Sequence, residues 1–160
     1  MRGPKGERVR IDAAGFHYTG AGEVPRAIDQ FNPGADGGTL EGFELFGARN
    51  DSYNGAGARV NQASRVTVRD CEIHHNDMGI MPNGDAARGS CALLRIESCL
   101  IHHNGSDKHP GYNHNLYLGG TSVILRACEV HSRTTGHNVK SRAHWRSSSC
   151  PPPPASRRRV

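Results

Sequence analysis

A repeat of 28–29 residues constrains the fold of this 160-residue chain more than any other feature of its sequence. Four short segments align, starting at Leu40, Val66, Leu94 and Ile124. One aligned position holds Phe43, Cys71, Cys99 and Cys128, and the position two residues later holds Leu45, Ile73, Ile101 and Val130. A constant period between about 20 and 50 residues is typical of a solenoid, in which like units stack on one another.

Within each unit the sequence alternates with a period of two residues, as half-buried strands do. Val66-Thr-Val-Arg69 and Cys71-Glu-Ile-His74 both show this alternation. A second short strand is predicted in each unit, at 78–81, 115–118 and 138–141. The 20 Gly and nine Pro disfavour a helical bundle, because these are the two poorest helix formers. Short strands that stack between coils about 4.8 Å apart predict an all-β parallel β-helix.

The segments Cys71-Glu-Ile-His-His-Asn76 and Cys99-Leu-Ile-His-His-Asn104 resemble the PbH1 repeats of right-handed parallel β-helix proteins, the pectate-lyase-like superfamily. The resemblance covers about 40–144, with 9–31 as a candidate first coil, and implies a right-handed solenoid of about four to five coils. That superfamily includes lyases, hydrolases, epimerases and non-catalytic surface proteins, so the resemblance specifies the fold more than the reaction. Its members usually have many more coils, and we therefore expect this chain to be a fragment.

The predicted organisation has three parts: 1–38 with a first coil, the repeats at 39–145, and a disordered Pro- and Arg-rich tail at 146–160. The net charge of +5 comes from the two ends, since residues 11–145 hold 12 basic and 14 acidic residues. No nucleic-acid partner is predicted, because basic residues do not cluster in the folded body. No membrane partner is predicted either, since no apolar run approaches the roughly 20 residues that span a bilayer. No signal peptide is visible, although the superfamily favours an extracellular, periplasmic or cell-surface location.

The aligned cysteines and histidines are interpreted first as structural. The three aligned cysteines should face inward as free thiols, since neighbouring parallel side chains suit a disulfide poorly. The histidines should stack between coils in two columns, one of His74, His102 and His131 and one of His75 and His103. Asn76 and Asn104 should form a ladder at the next turn. No metal site is predicted, because columns spaced by about 4.8 Å do not converge on one ion at about 2.1 Å.

No cofactor is predicted, and calcium is the ion left open. Asp77, Asn83 and Asp85 offer oxygen ligands, although the Asp-x-Asp-Gly spacing of a calcium loop is missing. A glycoside hydrolase is disfavoured, because it needs two carboxylates flanking one bond. Asp70, Asp77 and Asp85 form no evident outward pair.

A candidate carbohydrate site lies where the second strands of two consecutive coils align. In this alignment Leu116 and Val139 point inward, while Tyr117 and Lys140 share an outward column. The insertion at 105–113 is expected to wall one side of a groove. Aromatic and basic groups suit an acidic polysaccharide, because arginine pairs with carboxylates and tyrosine stacks on sugar rings. The predicted substrate-binding residues are Tyr112, His114, Asn115, Tyr117 and Asn138.

The resemblance also implies catalytic roles, because polysaccharide lyases of this fold use a Lys or Arg base to remove the proton α to a uronate carboxylate. Lys140 is the candidate base and Arg142 the candidate clamp for the carboxylate. The candidate acids are His137, His144 and Tyr117. A neighbouring cation favours the neutral amine that a base requires.

Two alternatives stay open beside a lyase that acts on a uronate-containing glycan. One is a non-catalytic β-helix, either a surface protein or a carbohydrate-recognition module. The other is a truncated chain without activity, whose unpaired coil ends invite self-association. Polysaccharide is the predicted partner of the lyase and of the non-catalytic β-helix.

Overall fold

The computed structural model describes residues 1–15, 27–83, 93–108, 110–119 and 122–142. The predictions for Asp85, His144 and the tail at 146–160 lie outside these residues. Within the described residues the chain forms fourteen strands and no helix, so no helix there is long and apolar enough to cross a membrane. The strands are β1 (Val9–Asp12), β2 (Ala27–Phe31), β3 (Thr39–Glu41), β4 (Phe43–Phe46), β5 (Ala56–Asn61), β6 (Val66–Arg69), β7 (Glu72–His74), β8 (Met78–Asn83), β9 (Leu93–Glu97), β10 (Leu100–His102), β11 (His114–Gly119), β12 (Ser122–Arg126), β13 (Glu129–His131) and β14 (His137–Arg142).

The strands lie in three sheets of parallel strands. Sheet A consists of β3, β6, β9 and β12; sheet B of β1, β4, β7, β10 and β13; sheet C of β2, β5, β8, β11 and β14. Each inner strand therefore pairs with the strand three before it and the strand three after it, and each edge strand has one of these two partners. A chain that visits the three sheets in constant order brings each strand back beside an earlier one that points the same way. The described fold is all-β and consistent with the solenoid that the repeat predicts.

The register of sheet B confirms the repeat. Leu45 pairs with Ile73 and Ile73 with Ile101. Ile101 in turn pairs with Val130. These are the positions that the sequence aligned 28 or 29 residues apart. The N-terminal segment also joins the sheets, since β1 pairs with β4 and β2 with β5.

The core is filled from all three sheets. Its fully buried members include Val68 and Ile96 from sheet A, Ile73 and Ile101 from sheet B, and Leu116 from sheet C. The alternation in the sequence accounts for this, because every second residue of β6 is buried while its neighbours are partly exposed. Each large apolar side chain stabilises the fold by about 1.5–3 kcal/mol when it leaves water.

Cys71 and Cys99 are buried free thiols, as the sequence predicts. The Sγ of Cys99 lies 3.6 Å from the carbonyl oxygen of Val68 in the preceding coil. Cys128 is only partly buried, because β12, β13 and β14 are the outermost strands that the structure describes. For the same reason Val139 is 43% exposed, although its register predicts an inward side chain.

Each coil turns two corners with a residue in the left-handed conformation. Between sheets A and B these residues are Gly42, Asp70, Ser98 and Ala127, with φ from 50° to 79°. Between sheets B and C they are Gly47, His75, His103 and Ser132, with φ from 45° to 81°. Glycine adopts this conformation freely and other residues adopt it at a cost. The corners recur every 28 or 29 residues, so the turn geometry repeats with the strands.

A ladder of asparagine side chains crosses the coils at the corner between sheets B and C. The Oδ1 of Asn104 accepts hydrogen bonds from the backbone N–H and the Nδ2 of Asn76, at 3.1 and 3.0 Å. The Nδ2 of Asn104 donates to the carbonyl of Ile73 at 3.0 Å. The predicted ladder is thus confirmed, and it continues through Asn115 and Asn138. It satisfies turn groups that would otherwise be buried without a partner.

Candidate functional site

The pairing of β11 with β14 brings three predicted site residues together on the outer face of sheet C. Tyr117 pairs with Lys140, and Gly119 pairs with Arg142. The Nζ of Lys140 lies 5.6 Å from the centre of the Tyr117 ring, and the Cζ of Arg142 lies 5.9 Å from it. A cation over an aromatic ring is attracted by about 0.5–1 kcal/mol at an exposed site. We name Tyr117, Lys140 and Arg142 the aromatic–cation cluster.

Gly119 has no side chain, which leaves space for the guanidinium of Arg142 beside the ring of Tyr117. It stands opposite Arg142 in the register and places no side chain between that residue and Tyr117. A Cβ at Gly119 would lie 3.5 Å from the Cε1 of Tyr117, which is ordinary contact. A longer side chain at this position would therefore compete with the guanidinium of Arg142 for the space beside the ring.

His114 lies beneath the cluster and is fully buried. Its ring stacks on Tyr117, with centroids 5.7 Å apart and planes 15° apart. Its Nδ1 accepts a hydrogen bond from the backbone N–H of His137 at 3.0 Å, which places the proton of the neutral ring on Nε2. Burial, helped by the positive charges of Lys140, His137 and Arg142, lowers the pKa of His114 to about 4. The ring is therefore a neutral support for Tyr117 at physiological pH.

The other predicted site residues are spread over two environments. The amide of Asn115 is buried in the asparagine ladder, where its Nδ2 donates to the Oδ1 of Asn138 at 3.0 Å and to the carbonyl of His131 at 2.7 Å. Tyr112 is 58% exposed, and His137 is also exposed. The ladder therefore holds the start of β11 in place, while Tyr112 and His137 are open to solvent.

Arg59 belongs to the same outward column, and no pattern in the sequence predicts its place there. Gln30 pairs with Arg59 and Arg59 with Met81, which stands opposite Tyr117. Arg59 is 1% exposed, and its Nε and Nη1 have no hydrogen-bond partner among the described residues. Burial lowers the pKa of its guanidinium to about 10, so Arg59 stays charged at neutral pH. Its place in the column becomes visible only through the register of β5, since no like residue repeats there.

A cleft lies beside the corner between sheets B and C, and the sequence did not predict it. Its volume of about 330 Å³ falls in the range of about 300–1,000 Å³ that is typical of small-ligand sites. It is lined by Arg49, Asn50, Tyr53, Asp77, Gly105, Ser106, Asp107, Lys108 and Thr134. The insertion that was expected to wall a groove thus contributes four consecutive residues to this cleft.

Asp77 is the buried acid of this cleft. Its Oδ2 accepts hydrogen bonds from the backbone N–H groups of Asn50 and Gly55, at 3.0 and 3.3 Å. Its Oδ1 lies 3.2 Å from the Nη1 of Arg49. Burial nevertheless raises the pKa of Asp77. Among the described residues, no group of three or more His, Cys, Asp or Glu could hold a metal ion.

The two predicted histidine columns stack on the outer face of sheet B. In the first column the ring centroids of His74 and His102 lie 5.0 Å apart, and those of His102 and His131 lie 5.4 Å apart. In the second column His75 and His103 lie 5.4 Å apart, with planes 4° apart. The interpretation of these residues as planar side chains stacked between coils is confirmed.

No protein-family model, no curated protein and no solved structure matches the chain. The resemblance to PbH1 repeats therefore depends on the repeated segments and on the parallel sheets that they form. A function therefore has to be inferred from the residues of the site, because the fold alone does not specify it.

Proposed function

We propose that the chain is a right-handed parallel β-helix of the pectate-lyase-like kind and that it binds an acidic polysaccharide through the aromatic–cation cluster. The observation that carries this proposal is the presence of two cations beside one aromatic ring. Neither Lys140 nor Arg142 forms an ion pair with a carboxylate among the described residues. Unpaired cations beside an aromatic ring are complementary to a sugar that carries a carboxylate.

Each member of the cluster has a distinct part in this binding. The guanidinium of Arg142 can pair with a uronate carboxylate through two parallel hydrogen bonds, which a single ammonium cannot do. The ammonium of Lys140 adds a second point charge on the same face. Tyr117 offers an apolar ring and a phenol hydroxyl, and the stacked His114 keeps that ring in place.

The test compares binding of polygalacturonate and of a neutral galactan to the full chain by isothermal titration calorimetry. We expect binding of the acidic polymer only, and we expect Lys140→Gln combined with Arg142→Gln to weaken it by at least about tenfold. Arg126→Gln is the matched control, because Arg126 is an exposed arginine of the same coil on sheet A. Equal loss in the control, or equal affinity for the neutral polymer, would contradict the proposal.

A lyase is the second candidate, and the observation that favours it is that an amine, a guanidinium and a phenol lie together in the cluster. In this reaction Lys140 takes the proton α to the carboxylate that Arg142 holds. The bond between the sugar carbon and the glycosidic oxygen then breaks, the phenol hydroxyl of Tyr117 gives that oxygen a proton, and a carbon–carbon double bond forms in the sugar. Ultraviolet absorbance of that unsaturated product tests the activity on polyuronates, with and without added calcium. Binding without any gain in absorbance would identify a recognition module instead.

A further inference from the structure

Adjacent histidines form two pairs on sheet B whose rings turn toward each other. The Nδ1 atoms of His74 and His75 are 2.6 Å apart, and those of His102 and His103 are also 2.6 Å apart. Successive residues of a straight strand point to opposite faces. His75 and His103 instead have φ of 54° and 50°, and this left-handed turn brings each ring beside that of its predecessor.

A carboxylate fixes the proton of the first histidine in each pair. The Nε2 of His74 lies 3.2 Å from the Oε1 of Glu44, and the Nε2 of His102 lies 3.1 Å from the Oε1 of Glu72. A neutral imidazole that donates from Nε2 to a carboxylate has a bare Nδ1. The same carboxylate–histidine pairing orients the histidines of metal sites and makes them better ligands.

We propose that each pair binds one divalent transition-metal ion, Ni²⁺ or Cu²⁺, through its two Nδ1 atoms. Two nitrogens at about 2.05 Å and 90° are about 2.9 Å apart, so tetragonal geometry requires the Nδ1 atoms of each pair to separate by about 0.3 Å. The rings must also rotate, because in each pair the two Nδ1 atoms now face each other rather than a common ion. Tetrahedral zinc needs about 3.3 Å and is disfavoured. His75 and His103 are exposed and free to make this shift. On binding, the Nδ1 proton of each of these two rings moves through water to Nε2, and water completes the coordination.

A metal site within one histidine pair differs from a site shared between coils, which the sequence disfavours. Stacked rings of successive coils lie 5.0–5.4 Å apart and do not converge on one ion. The two Nδ1 atoms of a pair are close enough to share one ion, because both residues belong to one coil. Two ions at neighbouring levels would repel each other, so the second binds more weakly and the stoichiometry does not exceed two.

The neighbouring coil provides an internal control. There the pair is replaced by His131 and Ser132, with the Nδ1 of His131 lying 2.8 Å from the Oγ of Ser132. Ser132 has φ of 45°, so serine is tolerated at this corner of the coil. Changing the exposed histidines of the pairs to serine therefore copies a local structure that the molecule already has.

The experiment titrates the full chain with NiCl₂ by calorimetry in a non-coordinating buffer, and with CuCl₂ by electron paramagnetic resonance. We expect one or two ions, with hyperfine coupling to two nitrogens per copper. His75→Ser combined with His103→Ser should weaken Ni²⁺ binding by at least about tenfold at unchanged circular dichroism. His131→Ser, the matched control, should leave binding unchanged.

The converse variant, Ser132→His, should create a third pair and raise the number of bound ions. Binding that survives in the double serine variant would overturn the proposal, as would the absence of Ni²⁺ binding to the unaltered chain. A third-pair variant that binds no more metal than the unaltered chain would also overturn it. None of these results depends on polysaccharide binding, so the two proposals fail separately.

Discussion

The outer faces of sheets B and C use the same repeat in opposite ways. On sheet B the rings of Phe46, His74, His102 and His131 stack at successive levels, with centroids 5.0–5.4 Å apart and planes within 12° of parallel. On sheet C the column through the aromatic–cation cluster changes its residue type at every level. Its members are Gln30, Arg59, Met81, Tyr117 and Lys140.

The charges follow the same division. Two arginines beside sheet B have an acid of that sheet next to them: Arg8, the residue before β1, lies 2.6 Å from Glu72, and Arg10 of β1 lies 3.1 Å from Glu44. On sheet C the cations of the cluster have no such partner among the described residues. On sheet B the like side chains stack on one another from coil to coil, whereas on sheet C the two cations of the cluster lie beside the ring of Tyr117. The polysaccharide-binding surface that we propose therefore lies on the face whose residues vary from coil to coil.

Breaking the ladder that joins the two faces should have the largest effect. Asn104→Ala leaves the backbone N–H of Asn76 without its acceptor in a buried corner. It also removes the hydrogen bonds that the Asn104 amide donates to the carbonyl of Ile73 and to the Oδ1 of Asn115. We expect the free energy of unfolding to fall by roughly 2–4 kcal/mol, measured by urea denaturation. Asn138→Ala, at the less buried end of the ladder, should cost less than half as much. Equal costs at the two positions would contradict a shared buried network.

Removing an aromatic ring from each face in turn tests which face binds the polysaccharide. Tyr117→Ala should weaken polygalacturonate binding by roughly three- to tenfold, because the cations lose the ring that orients them. Phe46→Ala removes an aromatic ring from sheet B and should leave affinity unchanged. Calorimetry of both variants measures these affinities. An equal loss of affinity in Phe46→Ala would contradict polysaccharide binding on the outer face of sheet C.

The two faces should also differ in their response to acid. Because the folded state lowers the pKa of His114 from 6.5 to about 4, it binds fewer protons than the unfolded state in that interval. The stability contributed by neutral His114 is present above pH 6.5 and is lost as the pH falls toward 4. His114→Gln should therefore flatten the fall of the melting temperature across this window. His75→Gln, at an exposed ring of sheet B, should flatten it less, and the reverse order would contradict the assignment.

The smallest effect is expected for one exposed ring of the second histidine column. His103→Ser removes the stacking partner of His75 at 5.4 Å. Such a contact contributes about 0.5–1.5 kcal/mol when buried, so we expect a loss below about 1 kcal/mol at this exposed position. Thermal unfolding measures it. A loss as large as that of Asn104→Ala would show that the column, rather than the ladder, holds the corner together.

Features that recur in every coil were predictable from the sequence. Ile73, Ile101 and the thiols of Cys71 and Cys99 are buried where the alternation places them. Asn104 joins the ladder for the same reason, because a side chain that bonds its equivalent in the next coil must recur at the same position. Repetition converts a local pattern into a three-dimensional prediction without knowledge of the rest of the chain.

Features that occur at one level only were missed. Arg59 has no like residue above or below it, so no alignment singles it out. The cleft joins Arg49, Asp77 and Lys108 through loops of unequal length, whose approach depends on the folded coils. Val139 follows the inward register yet is exposed, because burial needs a covering strand as well as a pattern.

The left-handed corners also offer positions at which the stability of the molecule can be raised. Glycine occupies the first level of both corner series, at Gly42 and Gly47, and ordinary residues occupy the later levels. A residue with a side chain in this conformation lowers the free energy of unfolding by about 1–2 kcal/mol. Glycine avoids this strain, but it loses more conformational entropy on folding, so the net gain from a change to glycine is smaller. Ala127→Gly is the substitution to make, because the methyl group of Ala127 forms no hydrogen bond that would be lost. Thermal stability can thus be engineered at the corners between sheets A and B while the outer faces of sheets B and C stay intact.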